Sequence, residues 1–519
     1  MALLQWIVVL LFGAVALTAL ARRVGAPYPT FLAVAGAGIA LLPFGPKLTL
    51  EPDLALALFV APVLLDAAFD TSMRDLRENW VPIGLLVLVA VGLTTAAVAV
   101  VAHALVPDLP WAAAVVLGTI VAPPDAAAAT AVLRQVRPPH RLLVILEGES
   151  LLNDASALFV YRLAVAAVVA GAPTPGDLAL NFILVVPGSL VAGWVLAHAL
   201  LWLTTRLEYP PSAIVIQFAS TFAVWILADR AGLSPVLTIV AYAVALARYA
   251  PQRHGARMRV PTYAVWETAV FLLNILAFVL IGLQVRPILD QLPAERLREY
   301  LGVAGAVLAT VIVVRIAWVM AYNTGLRLKN HWFGLALPRP MLVPSARSGL
   351  VISWCGMRGI VTLAAALALP NGTEGTPAFP DRDLILMTAF AVVVGTLVLQ
   401  GLTLPPLLRL FDLRDDDPVA RETAHARIEV FRAALASLDG EEGPAAEALQ
   451  REYKAVLKWA KAEPTATPGM TQVDELRLRT IGVARDVLFR LRSEGVIGDE
   501  AFHRVEEELD HAELHARPG

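Results

Sequence analysis

Residues 144–163 read VILEGESLLNDASALFVYRL. This stretch lies in an apolar run long enough to cross a bilayer, yet it carries Glu147, Glu149, Ser150, Asn153 and Asp154. An ionisable side chain in hydrocarbon costs several kcal/mol unless it meets a partner or a water-filled cavity. So dense a set marks either a polar packing network or a site, and the rest of the chain decides which.

The 519 residues are 58% hydrophobic and 16% charged, with a mean hydropathy of +0.67. Soluble domains usually carry about 25% charged residues. The deficit, spread over many long apolar runs, predicts an all-α polytopic membrane protein. Net charge is −3, which points to no nucleic-acid partner. A single cysteine, Cys355, excludes an intrachain disulfide framework and a cysteine-built zinc site. The first apolar run lacks a basic leader and is followed by Arg22 and Arg23, so it reads as a retained span.

Apolar runs predict thirteen spans, at roughly 3–20, 29–45, 54–69, 80–106, 111–133, 142–170, 178–206, 212–230, 233–250, 264–286, 300–322, 346–370 and 384–409. With the N-terminus outside, about 16 Lys/Arg fall in cytoplasmic loops and about 6 in external ones. That asymmetry places the C-terminus in the cytoplasm of a multi-pass protein of the cell (inner or plasma) membrane. Two domains follow, a transmembrane part over 1–410 and a cytoplasmic helical tail over 411–519, where charged sequence takes over. Helical patterns in the tail cover about 418–438, 444–462, 471–493 and 497–514. Regulatory contacts through the tail and a plain solvated extension are both compatible with it.

At about 1.5 Å per residue the spans serve as rulers. Asp66 lies about 12 residues into its span, Pro123, Pro124 and Asp125 about 11 to 13, Glu149 to Asp154 about 7 to 12, and Arg358 about 12. Twelve residues, roughly 18 Å, reach the middle of a core about 30 Å thick. Four helices thus deliver ionisable groups to one depth, which packing alone accounts for poorly.

Pro123 and Pro124 remove two backbone donors and should interrupt the fifth span, leaving Asp125 beside a freed helix end. Gly356 and Gly359 flank Arg358 in the twelfth span and suggest a second interruption. The two interrupted spans run in opposite directions. Counterpart interruptions in two inverted repeats, spans 1–6 and 8–13, are the sequence pointer to a transport site. Glu149 with Asn153, and Ser150 with Asp154, are spaced i,i+4 and stack on one face. Oxygen ligands of this kind suit a small hard cation. Asp154 can hold a proton or a metal ion but not both, which is enough for exchange. Arg358 requires a counter-charge at the midplane, and Glu149 is assigned as its structural partner. Asp66 contributes to the ion path, directly or through water, or else serves as a helix contact. Glu147 lies nearer the cytoplasmic end as a funnel residue, while Arg315, Glu267 and Arg162 receive no role.

The blocks APPDAAAATAVL, LEGESLLNDASAL and SWCGMRGIVTLAAALALP, with LLDAAFDTSMRDLREN and FVLIGLQV, resemble bacterial sodium/proton antiporters of the monovalent cation:proton antiporter-1 family. The resemblance covers the membrane part, about 400 residues, with five blocks in order. It implies a thirteen-helix fold of two inverted repeats, with a dimerisation domain beside a mobile core domain that moves like an elevator, and a homodimer. It implies exchange of Na+ or Li+, in some members K+, for H+, with no resident cofactor and no enzymatic reaction. The aspartate of the Asn-Asp pair, here Asp154 beside Asn153, is the implied ion and proton carrier. Ser150 and Asp66 contribute to the implied Na+ site, and Glu149 with Arg358 is the implied ion pair. Asn-Asp rather than Asp-Asp implies electroneutral exchange. Two departures stand out: Pro-Pro-Asp replaces the Thr-Asp-Pro of many relatives, and Asp66 is shorter than the glutamate common there. A potassium-preferring exchanger is the alternative within transport. A membrane-embedded hydrolase is the remaining one, although HExxH and GxSxG motifs are absent from the sequence.

Overall fold

The computed structural model describes residues 2–43, 51–125, 128–131, 133, 138–169, 175–207, 209–292, 295–333, 345–371, 378–411, 418–462, 472–494 and 496–516. All regular elements among them are helical. The chain forms two compact units, Met1–Arg414 and Asp415–Gly519.

In the first unit the helices are α1 (Ala2–Val24), α2 (Tyr28–Leu41), α3 (Ala61–Asp70), α4 (Met73–Glu78), α5 (Val91–Leu105), α6 (Trp111–Val121), α7 (His140–Val169) and α8 (Pro175–Thr204). They continue with α9 (Pro210–Arg230), α10 (Pro235–Arg253), α11 (Ala256–Leu283), α12 (Leu297–Phe333), α13 (Ala346–Trp354), α14 (Ile360–Leu367) and α15 (Arg382–Phe411). Among the described residues seven helical stretches are long and apolar enough to cross a membrane, which makes this a multi-pass membrane protein. Outward faces carry Phe12, Val191, Trp194, Val215 and Val313, all exposed, as lipid-facing surfaces should.

Local chemistry sets where these helices start and bend. Pro62 cannot donate to the carbonyl four residues back, and α3 is entered through a π-helical turn at Leu56–Val60. Pro235 opens α10, whose N-cap Ser234 accepts from the Leu237 amide at 3.4 Å. Gly25, at φ +68°, makes the left-handed turn from α1 into α2 that a side chain would oppose.

Contacts between helices sort the first unit into two bundles. One holds α1, α2, α3, α8, α9, α10 and α11; the other holds α5, α6, α7, α12, α13, α14 and α15. Within lipid, close packing rather than the hydrophobic effect joins helices, so small residues occupy the closest crossings. Gly36 of α2 and Gly282 of α11 face each other so closely that a Cβ on either would meet the other's backbone. Gly193 stands likewise against the Thr238 carbonyl of α10, and Gly118 against the Thr95 carbonyl of α5.

The second unit has α16 (Pro418–Ala436), α17 (Pro444–Ala462), α18 (Gln472–Ser493) and α19 (Asp499–Ala516). They pair as two hairpins. Arg485 ties the second hairpin to Glu513 at 2.7 Å and to Asp510.

Gly282→Leu is expected to lower folded yield and the melting temperature sharply, because the α2–α11 crossing cannot widen without losing contact along its length. Gly38→Leu, with open space at its Cβ position, should leave both unchanged in size-exclusion and thermal-shift measurements.

Candidate ion site at the crossing of two interrupted helices

The helix α6 stops at Val121, before Pro123 and Pro124, whose missing N–H groups end the ladder. The helix α13 stops at Trp354, and a non-helical segment at Cys355–Gly359, extended at Gly359, leads into α14. The two irregular segments lie side by side: the Asp125 amide donates to the Met357 carbonyl at 2.7 Å. A Cβ at Gly359 would overlap the Asp125 carboxylate, so only glycine allows this approach.

Each broken helix receives its compensating charge from the other. The last carbonyls of a helix lack intrahelical donors and carry the negative end of its dipole. Arg358 donates to the Val121 carbonyl of α6 through Nε at 2.9 Å and to that of Ala122 through Nη2 at 3.2 Å, and also to Gly356. Conversely the Asp125 carboxylate lies against Gly359, the N-cap of α14, where the dipole is positive. The Arg358 amide donates to Thr396 Oγ1 of α15 at 3.0 Å, which holds the non-helical segment in place.

This geometry corrects one expectation. Glu149 does not pair with Arg358; it pairs with Arg315 of α12, at 2.5 Å (Oε1–Nη1) and 2.8 Å (Oε2–Nη2). Both side chains are buried, and Arg315 also donates to the Ile352 carbonyl of α13 at 3.2 Å. A buried guanidinium needs acceptors, and depth alone points to a carboxylate for Arg358. A broken helix exposes carbonyls that serve instead. The signal for the true partner is Arg315 itself, in the middle of VIVVRIAWV, where it needs a counter-charge as much as Arg358 does. Gly356 makes room for it, since a Cβ there would come within 2.6 Å of Arg315 Cδ.

Between the two bundles lies a cavity of about 2010 Å³. Asp66 and Glu267 line it from one bundle, and Asp125, Glu147 and Ser150 from the other. Ser150, Asp66 and Asp125 therefore border one space. Asn153 is buried; its Nδ2 is 3.4 Å from Glu149 Oε1, and its Oδ1 meets no protein donor among the described residues. Asp154 lies on α7, but its side chain falls outside the described residues. The cavity also shows groups to which the sequence assigned no ion-site role: Asp70 and Asn274, as well as Glu267, which follows Tyr263 and precedes Phe271 and Asn274 on one stripe of α11. That stripe is legible as spacing, but not which way it faces. Among the described residues no group of three or more His, Cys, Asp or Glu side chains forms a metal cluster. The oxygens that line this cavity come from both bundles.

The family description "Sodium/hydrogen exchanger, transmembrane" matches residues 7–410. The chain belongs to the sodium/hydrogen exchanger family. It is 31% identical over 525 residues to an uncharacterized Na(+)/H(+) exchanger of Mycobacterium tuberculosis (strain ATCC 25618 / H37Rv), covering 98% of this chain and 95% of that one. It is 27% identical to the sodium, potassium, lithium and rubidium/H(+) antiporter of Bacillus pumilus (strain SAFR-032), over 94% of this chain and 74% of that one. The fold is similar to that of the sodium proton antiporter MjNhaP1 from Methanocaldococcus jannaschii at pH 8, with a TM-score of 0.57 at 16% identity, covering 78% of this chain and 97% of that one. This is a family of transporters rather than enzymes, which sets the hydrolase alternative aside.

Removing one member of a buried ion pair leaves an uncompensated charge and costs about 3–5 kcal/mol. Glu149→Gln should therefore lower the melting temperature in detergent and the folded yield. The double change Glu149→Gln/Arg315→Met should recover most of both, whereas Glu149→Gln/Arg358→Met should not.

Proposed function

We propose that this exchanger is a secondary active antiporter, moving Na+ or Li+ inward or outward against H+ with Asp154 as the shared carrier. The observation that carries the proposal is the convergence of Asp66, Asp125 and Ser150, from two bundles, on a cavity beside two crossing broken helices. Asp154 follows Ser150 at i,i+4 spacing on α7, one turn further along the helix that brings Ser150 to that cavity. Asn153 stands beside it in sequence, with an acceptor oxygen that meets no protein donor among the described residues.

In this mechanism the Asp154 carboxyl is neutralised by a proton in one direction and by a cation in the other. Ser150 and Asp66 supply further oxygens to the cation, and Asp125 lends negative potential from the helix crossing. A bare carboxylate is held back because moving its charge through hydrocarbon is costly. Exchange then needs no other coupling, and one cation per proton makes it electroneutral. The bundle containing α7 and the helix crossing moves as a unit against the other, an elevator motion that exposes the cavity alternately to the two sides. We further infer thirteen spans in two inverted repeats, an external N-terminus, a cytoplasmic tail over 411–519 with regulatory contacts, and a homodimer formed through the bundle that holds α1.

A second reading, K+/H+ exchange, is favoured by the Bacillus pumilus relative, whose name includes potassium and rubidium. The same oxygen ligands serve either ion, and cavity size rather than donor type separates them.

The test is proton flux in proteoliposomes under imposed Na+, Li+ or K+ gradients. Wild type should show cation-driven flux, ranked by ion, that Asp154→Asn abolishes while folding normally. Undiminished flux in Asp154→Asn would overturn the carrier assignment, and flux driven by K+ alone would replace the sodium reading with the potassium one.

A further inference from the structure

An ion pair at the far side of the bundle interface takes no part in the site. Arg162 of α7 donates through Nη2 to Asp229 Oδ1 of α9 at 2.9 Å. These helices belong to different bundles, so the pair spans the interface along which the cavity opens.

Its position follows from counting along both helices. Among the described residues, those that line the cavity on these two helices are Glu147, Ser150 and Leu151 of α7 and Gln217 of α9. The interval from Ser150 to Arg162 equals the interval from Gln217 to Asp229. At about 1.5 Å per residue, both partners lie roughly 18 Å further along their helices. The cavity is flanked at its other end by Arg22, Asp70 and Arg409, at the C-terminal ends of α1, α3 and α15. The pair therefore lies beyond the end of the cavity opposite that charged rim. Near that end α14 packs against Pro52–Ala55 and Leu56–Val60, an apolar seal that includes Leu363, Ala55 and Phe59, all buried.

We propose that Arg162 and Asp229 form a latch that holds the two bundles together on the closed side and must release each time the cavity changes sides. The proposal rests on the antiport reading above, since only a protein that alternates its access needs such a latch. The pair's exposure fits the role. The two side chains are 55% and 56% exposed, so the contact is screened by water and weak enough to break in every cycle. It contrasts with Glu149–Arg315, buried within one bundle, which no cycle needs to open.

The test uses full-length protein with Arg162→Cys and Asp229→Cys together, treated with a short bifunctional thiol reagent; Cys355, the one native cysteine, is buried. Cation-driven proton flux should stop in the cross-linked protein and persist in either single-cysteine protein given the same reagent. A second measurement follows Ala67→Cys, exposed in the cavity, as it reacts with an impermeant methanethiosulfonate from the side where the cavity opens. Arg162→Gln should slow that reaction by about two- to five-fold, the population shift expected for losing an exposed pair. The exchanged pair Arg162→Asp/Asp229→Arg should restore it. Full flux after complete cross-linking, or a labelling rate indifferent to Arg162→Gln, would overturn the latch. Absence of flux from wild type in the same vesicles would instead overturn the antiport reading, and the labelling rates would still decide the latch.

Discussion

Two helices broken in the middle of an apolar bundle impose the requirement that organises the rest of this protein. Their free ends carry carbonyls and amides without intrahelical partners, and in a low-dielectric interior such groups are costly unless paired. The solution is reciprocal: Arg358, from one interruption, satisfies the carbonyl end of α6, and Asp125, from the other, lies at the amide end of α14. Arg358 is the bulkiest fully buried side chain among those described, so the centre of this core is a charge. Gly359 and Thr396 follow as consequences, the first letting the segments approach and the second fixing one of them.

The second buried cation, Arg315, does a different task. Its fork engages Glu149 on α7 with both carboxylate oxygens and the Ile352 carbonyl on α13, and so joins three helices of one bundle. A bidentate geometry of this kind fixes orientation as well as separation. Negative charge is thereby divided between two uses. Glu149 is committed inside the bundle, while Asp66, Glu147 and Glu267 line the cavity.

The interface between the bundles differs in kind from their interiors. Inside the bundles, glycine-mediated crossings such as Gly36–Gly282 and Gly193–Thr238 bring backbones into contact. Between them lie a large cavity, an apolar seal at α14 and an exposed ion pair. Apolar surfaces that slide past one another lose little, and a solvated ion pair re-forms readily. The alternating access proposed above draws on this contrast between close-packed and looser contacts.

Much of this is legible without coordinates. Apolar runs, the Pro123-Pro124 and Gly356/Gly359 interruptions, and the depth of Asp66, Asp125 and Ser150 depend on composition and on the constant rise of a helix, quantities that are local to the chain. They announce a helical membrane protein with a polar centre. What the sequence cannot determine is pairing. Two arginines and several carboxylates lie at similar depths, and depth says nothing of azimuth, so sequence alone matches Glu149 with Arg358 where Arg315 in fact faces it. The carbonyl acceptors of Arg358 exist only because a helix ends where another chain segment arrives. Likewise Arg162 and Asp229, distant in sequence and unremarkable alone, become partners only when two bundles meet. Local spacing determined which groups lie at mid-depth in the apolar spans; tertiary packing decided which of them neutralise one another and which line the cavity, because pairing depends on the azimuth at which helices meet.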